Sequence, residues 1–595
     1  MSLIGEVMKF QRKALAIAVM VATSTLSACS SDDIKEAIEE EIVAKISDVT
    51  LSANSVDENS PGAEIASLET NIDLVSDISF ATENENFVIS GTTLSLAEGY
   101  ALDYEKEKTV TLTVNATYNS TTFSKELTIE VNDLLDYYGF MSKVGDETQS
   151  SVSYGGQAAR HALIAELKHY IGNGGLQADL DNGVLTTKDA VIAKLNSFYN
   201  ADENSWDGLN ISFTTATQTK FSELSSSYKS LKDKVAGNDA SGQHKLWNGE
   251  SDVDGNYTDE NIAFAGWGTK GSITPSGLID LYFQQLADIA IDSNGGKRYA
   301  PGSEAVVANE IPVFVTDNGT DLNQLIQKFL LMSVAYSQAA DDYLDEEKGL
   351  AATNVGQDKG TKDYTKLEHQ FDEGFGYFGA ARDYLSYNDN EISGKVSTAE
   401  DGREEWNGQH DTNGDGSIDL LSEKNFGNSV NAAKRDRGTK DNTAATDYTK
   451  QAMDAFLKGR QLISDNAGVE LTEDQKTELL TYRDAALDAW ERSVAGTVIH
   501  YINDLDADLA KVDTADFDYV TTAKHFSELK GFALGLQFNP YSPVTDVQFE
   551  EIHTFLKDAP VLNAADVAAY QADLKSARDI LQAAYSFDAT NVAGW

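Results

Sequence analysis

The chain has 595 residues, of which 96 are acidic and 46 basic, and its formal charge at pH 7 is −50. A single hydrophobic core stops growing at about 250–300 residues, so this length predicts two or more domains. So acidic a surface disfavours nucleic acid as a partner and favours cations. Cys29 is the one cysteine, which excludes an internal disulfide and leaves stabilisation to core packing and bound metal ions.

Residues 1–29 have the pattern of a secretion signal. A basic start at residues 9–13 precedes an apolar run at 14–21 and a small-residue cleavage site, Leu26–Cys29. The run is too short to span a bilayer, which takes about 20 residues. The segment resembles the signal of bacterial lipoproteins, which implies that Cys29 is acylated and attaches the chain to a membrane. Because Ser30 rather than aspartate follows, we expect an outer-membrane lipoprotein that faces the periplasm or the cell surface.

The next region predicts a charged tether and then a small β domain. Residues 30–47 are mainly Ser, Asp, Glu, Lys and Ala, which is typical of a solvated linker. Over residues 48–134, apolar and polar residues alternate in short runs such as Val110–Val114 and Leu127–Val131. This alternation is the period of a half-buried strand, so the region predicts an all-β sandwich.

Four motifs within residues 48–134 occur in a characteristic order and spacing. They are Val56–Gly62, Phe87–Ile89, Leu102–Glu105 and Val131–Asp133. Together they resemble a cadherin-like domain. Calcium takes six to eight hard oxygen ligands, and the resemblance implies such ligands at Glu58, Asp103, Glu105 and Asp133. The alternative is a structural spacer that binds no ion.

Helical periodicity dominates from residue 137 to residue 595, where Ala, Leu, Lys and Glu are abundant. The amphipathic segments are Gln157–Leu167, Leu322–Leu344, Tyr364–Leu385, Asp447–Leu462, Glu473–Asn503, Ala515–Gly535 and Ala564–Ala584. The predicted fold is therefore multidomain, with a small all-β cadherin-like sandwich followed by a large all-α helical bundle domain.

Two predicted helices each carry a histidine and an acid at spacings that place both on one face. His525 lies three residues before Glu528, and His369 lies three and four residues before two acids. Imidazole and carboxylate groups from facing helices suit iron, zinc or manganese. With two residues of a third helix, the predicted ligands are His369, Asp372, Glu373, Glu491, His500, His525 and Glu528. The alternative is that these are core histidines whose neighbouring acids fix the ring tautomer.

A loop near residues 411–423 matches the first nine positions of an EF-hand calcium loop. Its predicted calcium ligands are Asp411, Asn413, Asp415, Ser417, Asp419 and Glu423. The pattern departs from an EF-hand at position 12, where Ser422 stands and Glu423 follows one place late. The expected role of the ion is structural, because it would gather carboxylates that otherwise repel. The alternative is an Asx-rich turn without an ion.

Several helical segments also carry a family resemblance. Residues 153–161, 369–379, 498–503 and 525–540 look like parts of an uncharacterised, domain-of-unknown-function family of lipoproteins over roughly residues 137–590. More remotely, the His-x-x-Glu pattern at His525 resembles imelysin-like envelope proteins, which implies a role in iron uptake. The glycine of the imelysin motif is absent, because Ala523 stands two residues before His525.

These features favour a non-enzymatic role, although they do not exclude enzyme activity. Zincin, nucleophile-elbow and phosphate-loop motifs are absent from the sequence. We predict an anchored lipoprotein that binds calcium structurally and iron or zinc in its helical domain, as an accessory protein in iron acquisition or handling. One alternative is a calcium-stiffened adhesion or assembly protein with an envelope protein partner. The other alternative is a metallohydrolase.

Overall fold

The computed structural model describes residues 47–70, 78–104, 106–118, 121–214, 216–239, 242–250, 258, 261–293, 296–304, 306–438 and 445–595. The chain divides into two compact units, Met1–Leu134 and Leu135–Trp595. The predicted signal, the lipidation residue Cys29, almost all of the tether and the predicted ligand Glu105 lie outside the described residues. Among the described helices, none is both long and apolar enough to cross a membrane.

The first unit consists of two four-stranded sheets. Its strands are β1 (Val49–Leu51), β2 (Ser55–Asp57), β3 (Glu64–Thr70), β4 (Ser79–Ala81), β5 (Phe87–Ser90), β6 (Thr93–Leu96), β7 (Thr109–Tyr118) and β8 (Thr121–Asn132). One sheet has the order β1-β3-β6-β5 and the other β2-β8-β7-β4. Strand β2 pairs in parallel with β8, and the other pairings are antiparallel.

Strict alternation explains why this unit forms a sandwich. In β7 every second side chain from Val110 to Tyr118 is buried, and the residues between them are exposed or half-buried. Because successive side chains of a strand point to opposite faces, one face of each sheet is apolar. Residues of both sheets, among them Leu94 and Ile129, share one core. The predicted all-β sandwich is confirmed.

The second unit is predominantly helical. Its helices are α1 (Gly155–Gly172), α2 (Gly175–Asp181), α3 (Lys188–Tyr199), α4 (Glu203–Trp206), α5 (Phe221–Leu224), α6 (Pro275–Asp292), α7 (Leu322–Leu330), α8 (Lys366–Phe378), α9 (Asp389–Ile392), α10 (Gly427–Asp436), α11 (Tyr448–Asp465), α12 (Glu473–Leu509), α13 (Tyr519–Ala533), α14 (Asp546–Leu556), α15 (Ala564–Tyr585) and α16 (Ala589–Gly594). A two-stranded ribbon pairs β9 (Arg298–Tyr299) with β10 (Glu310–Ile311). The predicted helical domain is confirmed.

The helix boundaries differ from the predictions where a glycine or a cap intervenes. The segment predicted to reach Leu385 ends at Phe378, because Gly379 adopts φ 84° and terminates the helix. A Cβ atom at Gly379 would lie 2.7 Å from the carbonyl oxygen of Phe426, so a larger residue does not fit. Helix α6 was missed, although Thr274 caps it and Pro275 is at its first turn.

The helix that begins at Leu322 runs through the core and changes its winding. Beyond Leu330 it continues as two π-helical segments, Leu331–Tyr336 and Ala339–Tyr343. From residue 328 to residue 345 every residue is buried. π-helical turns are rare and are frequently found at functional sites. The π-helical part of this helix and the turn after it place polar side chains, among them Asp341 and Asp345, in the core.

Candidate metal centre and neighbouring polar clusters

One histidine and two aspartates meet beside the second π-helical segment. His244 Nδ1 lies 2.5 Å from Asp341 Oδ1, and His244 Nε2 lies 3.7 Å from Asp345 Oδ2. Each residue offers one ligand atom, and the three ligand atoms all lie within 4.8 Å of one another. In the part of the chain that the structure describes, this is the one group of three or more such ligands.

The burial of the two aspartates favours a bound cation at the His244 group, whereas a neighbouring lysine disfavours it. Asp341 is 1 % exposed and Asp345 is fully buried, whereas His244 is exposed. The hydroxyl of Tyr541 donates a hydrogen bond of 2.8 Å to Asp345 Oδ2. The ammonium group of Lys348 lies 3.1 Å from Asp341 Oδ1. The lysine therefore neutralises part of the negative charge that a metal ion would otherwise neutralise.

Sequence reasoning missed this group. Asp341 lies on the predicted helical segment Leu322–Leu344, and Asp345 directly follows its end; a spacing of four residues is a signal for a shared face if the helix continues. His244 comes from a loop about a hundred residues earlier. Its approach depends on tertiary packing, because no local pattern relates the loop to the helix.

The predicted ligands of α8 have structural partners. His369 Nδ1 lies 3.0 Å from the carbonyl oxygen of Ser153, and its ring stacks on Tyr364 with centroids 4.7 Å apart. Asp372 accepts a hydrogen bond of 2.7 Å from Arg460 Nε. Glu373 Oε1 accepts one from the side chain of Gln157 and is 3.9 Å from His369 Nε2. His369 is thus held by a backbone carbonyl and an aromatic ring, while Asp372 and Glu373 accept hydrogen bonds from Arg460 and Gln157.

Glu491 is enclosed by hydrogen-bond donors. Tyr336 donates at 2.5 Å and Tyr585 at 2.6 Å, and Ser542 donates at 2.5 Å. Asn539 completes the set through its side-chain amide. Burial raises the pKa of Glu491 above the ordinary glutamate value, although the hydrogen bonds from Ser542 and the tyrosines oppose the shift. The carboxyl group connects four chain segments and has no free position for a metal.

Two of the remaining predicted ligands, His500 and His525, lie beside Asp504 on α12. His500 Nε2 lies 3.3 Å and His525 Nε2 3.8 Å from Asp504 Oδ2, and His525 Nδ1 lies 2.7 Å from Asp508 Oδ2. Glu528 points to a different partner, because its Oε1 lies 3.3 Å from Lys328 Nζ. The seven predicted metal ligands are therefore divided among four environments and do not form one group within the described residues.

The EF-hand-like loop is organised around its last predicted ligand. Glu423 is 3 % exposed. Its Oε1 accepts hydrogen bonds from the N–H groups of Thr412 and Asn413 at 3.0 and 3.2 Å, and its Oε2 accepts one from Asp419 N at 2.7 Å. Asp411 accepts hydrogen bonds from Asp415 N and Gly416 N at 3.0 and 2.7 Å. Glu423 therefore connects the start of the loop to its end, although it lies one residue after position 12 of the EF-hand pattern.

Three of the predicted sandwich ligands, Glu58, Asp103 and Asp133, lie within the described residues. Glu58 is fully buried, and its two carboxylate oxygens accept hydrogen bonds from Tyr104 N at 2.6 Å and Leu134 N at 2.7 Å. These amides belong to the chain neighbours of Asp103 and Asp133. The arrangement brings three of the predicted residues to one region, with Glu58 acting as a brace for the backbone.

Part of the helical unit is similar to a family that has no assigned function. Residues 141–404 match the family model described as "Domain of unknown function (DUF4856)". Among solved structures, the chain is similar to one described as "Crystal Structure of Human Protocadherin-24 EC1-2 Form II", with 20 % identity and a TM-score of 0.13. That match covers 18 % of this chain and 52 % of the protocadherin chain. A comparison with curated proteins found no match.

Proposed function

We propose that the protein is a metal-binding envelope lipoprotein whose helical unit holds a divalent transition metal ion between His244, Asp341 and Asp345. The observation that carries this proposal is the approach of three ligand atoms to within 4.8 Å of one another. One imidazole nitrogen and two carboxylate oxygens form a mixed donor set that suits Fe²⁺, Mn²⁺ or Zn²⁺. The resemblance to imelysin-like proteins supports a role in iron acquisition or handling, and the signal ending at Cys29 supports an outer-membrane anchor.

Two of the three proposed metal ligands lie at a π-helical segment, which supports the proposal that this segment has a functional role. Asp341 lies inside the π-helical segment Ala339–Tyr343, and Asp345 follows it. A π-turn has poorer geometry than an α-turn and is retained mostly where it positions functional side chains. Tyr541 would orient Asp345 by its hydrogen bond, as outer partners of metal ligands do.

Replacement of His244 or of Asp345 is expected to abolish tight metal binding. His244→Ala removes the nitrogen ligand and Asp345→Asn removes a charged oxygen. Each change should weaken binding by more than the roughly 10–100-fold that loss of an outer hydrogen-bonding partner costs. The measurement is calorimetric titration of metal-depleted protein with Zn²⁺, Mn²⁺ and, anaerobically, Fe²⁺, together with elemental analysis of the purified protein.

His169→Ala is the matched control, because His169 lies at the end of α1 outside the group. Lys348→Gln provides a change in the opposite direction. It removes the ammonium group beside Asp341, so metal affinity should rise by about tenfold, or roughly 1.4 kcal/mol. Equal metal binding by the wild-type and His244→Ala proteins would exclude this site. In that case the double variant His369→Ala/His525→Ala tests the ligands predicted from sequence.

We also propose that the loop at residues 411–423 binds calcium and that the ion has a structural role. The gathering of both loop ends by Glu423, with Asp411, Asp415 and Asp419 on the same short loop, supports this proposal. The sandwich residues Glu58, Asp103 and Asp133 remain candidates for a second calcium ion, for which the resemblance to cadherin-like domains is the support.

Calcium is expected to raise the thermal midpoint of the wild-type protein, because an ion that binds only the folded state stabilises it. The double change Asp411→Asn/Asp415→Asn should remove this rise while leaving the midpoint in chelator nearly unchanged. The measurement is a thermal melt with calcium or with EGTA. The double change Glu400→Gln/Glu404→Gln, which removes the same charge from exposed positions in the same acidic region, serves as control. A melt that is insensitive to EGTA, with no calcium in the protein, would contradict the proposal.

A further inference from the structure

One strand of the first unit has an edge that is only partly covered. Strands β7 and β8 pair along the whole of β7, whereas β4 pairs with β7 only over Asn115–Thr117. Strand β4 is the last strand of its sheet on that side. Among the strands that the structure describes, none therefore pairs with Thr109–Val114 on the side of β7 away from β8. We name this segment the open edge of β7.

The hydrogen-bond register shows which main-chain groups face the open edge. Val131 N donates a hydrogen bond of 3.0 Å to the carbonyl oxygen of Lys108, directly before β7. In an antiparallel ladder such bonded positions recur at every second residue, so the even-numbered residues of β7 bond to β8. The N–H and C=O groups of Thr109, Thr111 and Thr113 therefore point away from β8. Within the described ranges these groups have no hydrogen-bond partner.

A groove of about 560 Å³ runs beside the open edge. The chain that leaves β4 forms one of its walls and β7 forms the other. The lining residues are Thr82, Glu83, Asn84, Thr111, Leu112, Thr113, Asn115 and Ser124. Its volume is in the range of ligand pockets, roughly 300–1,000 Å³. Because Thr111 and Thr113 are exposed, the groove is accessible from solvent.

The open edge lacks the features that usually prevent an edge strand from pairing with another chain. Lysine, proline and β-bulges are the common ones. The segment Thr109–Val114 contains neither lysine nor proline, and its register with β8 is uninterrupted. It consists of Thr, Val and Leu, and the β-branched Thr and Val favour an extended chain. The open edge is therefore a suitable template for an added strand.

The side chains around the open edge indicate what kind of strand fits. Glu126 and Glu130 of β8 are exposed and lie opposite threonines of β7, and Glu83 lines the groove. In contrast, Leu112 is 1 % exposed and faces the core. Successive side chains of a strand point to opposite faces. An added strand would therefore place one set of side chains on the acidic face and the other set beside Leu112.

The negative charge of this face is not neutralised by the lysines of the same hairpin. The ammonium group of Lys108 lies over the ring of Tyr104, 4.8 Å from its centroid. Lys125 forms an ion pair with Asp48. In the part of the chain that the structure describes, the three glutamates at positions 83, 126 and 130 form no ion pair.

We propose that the open edge of β7 binds an extended segment of another protein in which basic and apolar residues alternate. The main-chain groups of Thr109, Thr111 and Thr113 would pair with the added strand, as in peptide recognition by strand addition. The glutamates select a positively charged partner. A second copy of the chain is disfavoured, because it would bring the same glutamates and a charge of −50 to the interface. The site shares no residue with the His244 group and is independent of the proposed metal site.

The test is fluorescence anisotropy of the full chain with a labelled, acetylated probe peptide of three alternating lysine and valine pairs. We expect saturable binding of this probe and none of a version with glutamate in place of lysine. In the bound strand the lysine amides face β7 and the valine amides face away, because the bonded residues share the exposed face of the threonines. N-methylation of the lysine main-chain amides should weaken binding by about tenfold or more, because it removes main-chain hydrogen bonds. N-methylation of the valine amides is the matched control and should leave the affinity nearly unchanged.

A protein variant tests the location of the binding site. Thr111→Lys keeps every main-chain group but adds a positive charge at the open edge, so it should weaken binding of the lysine probe by about tenfold. Thr50→Lys is the matched control, because Thr50 is an exposed strand threonine of the other sheet. Hydrogen exchange followed by mass spectrometry should show that the probe slows exchange of the edge-facing amides within Thr109–Val114.

Every outcome supports or overturns the proposal. Equal binding of the lysine-methylated probe would mean that charge alone attracts the peptide, and the proposal would be wrong. Unchanged affinity in Thr111→Lys, or unchanged exchange in Thr109–Val114, would overturn it as well. A dimer of the protein without probe, seen by sedimentation and dissociated by Thr111→Lys, would mean that a second copy occupies the edge and would also contradict it.

Discussion

Replacement of Arg460 by methionine is expected to lower the free energy of unfolding of the helical unit by about 3–5 kcal/mol. Arg460 is fully buried on α11. Its Nε donates to Asp372 at 2.7 Å and its Nη1 to Glu368 at 2.9 Å. Its Nη2 donates to Ser151 Oγ at 2.8 Å. The change leaves two buried carboxylates without their cation.

The magnitude follows from the burial of all three charges. Glu368 and Asp372 are also fully buried, and they lie four residues apart on one face of α8. Burial disfavours the Arg460 cation, but the two carboxylates outweigh this effect and raise its pKa above the ordinary arginine value. Removing one member of such a group costs far more than loss of an exposed ion pair.

Urea unfolding followed by far-ultraviolet circular dichroism provides the measurement. The triple variant Arg460→Met/Glu368→Gln/Asp372→Asn is the informative control. Since it removes the buried charges together, it should recover much of the lost stability. A loss below about 1 kcal/mol in the single variant would place the group in the range of exposed ion pairs and contradict its burial.

Replacement of Glu491 by leucine is the second large effect that we expect, at about 3 kcal/mol or more. Leucine has no acceptor, so the side chains that surround Glu491 would keep buried donors without partners, each at a cost of about 1–3 kcal/mol. These side chains are Tyr336, Asn539, Ser542 and Tyr585. Their hydroxyl groups can reorient, which limits the sum. Urea unfolding again provides the measurement.

Glu491→Gln separates the charge of this residue from its shape. The pKa of Glu491 is raised in the folded protein, chiefly by burial. Below the ordinary glutamate pKa of about 4.3, both states are protonated and the associated stability is fully present. As pH rises above that value, the unfolded state ionises first. Wild-type stability then falls by up to about 1.4 kcal/mol per pH unit until the folded-state pKa is reached.

The stability difference between the wild type and Glu491→Gln should therefore shift in favour of the glutamine variant as pH rises above the ordinary glutamate pKa. Asp516→Asn, a substitution at an exposed position, controls for the general effect of removing one negative charge. A difference that does not change with pH would mean that the Glu491 carboxyl has the same pKa in both states.

Local periodicity was sufficient to predict the two architectures. Alternation along Val110–Val114 specifies a strand whichever partner it finds, and the apolar stripe of Glu473–Asn503 specifies a helix. Boundaries required contacts between distant segments. Helix α8 ends at Gly379, which adopts a positive φ where the carbonyl oxygen of Phe426 leaves no room for a Cβ atom. This contact comes from a distant segment, so the sequence around Gly379 does not predict it.

The metal prediction shows where local reasoning ends. The spacing of His369 and Asp372 does place both on α8, as expected. Which group faces them depends on another helix, and α11 presents Arg460 to Asp372 instead of a metal ligand. An i, i+3 pair of histidine and acid has the same spacing in a metal site and in a buried ion-pair network.

The sequence by itself determined the order of a β sandwich and a helical domain, the acidic character of the chain, the EF-hand-like loop and the expectation of lipidation at Cys29. Each depends on residues that are close along the chain. Only the tertiary structure decided which polar groups meet. His244 reaches Asp341 and Asp345 from a remote loop, and Arg460 on α11 reaches Glu368 and Asp372 on α8. Burial by distant segments sets the partners and the pKa of such groups, so spacing within one segment does not reveal them.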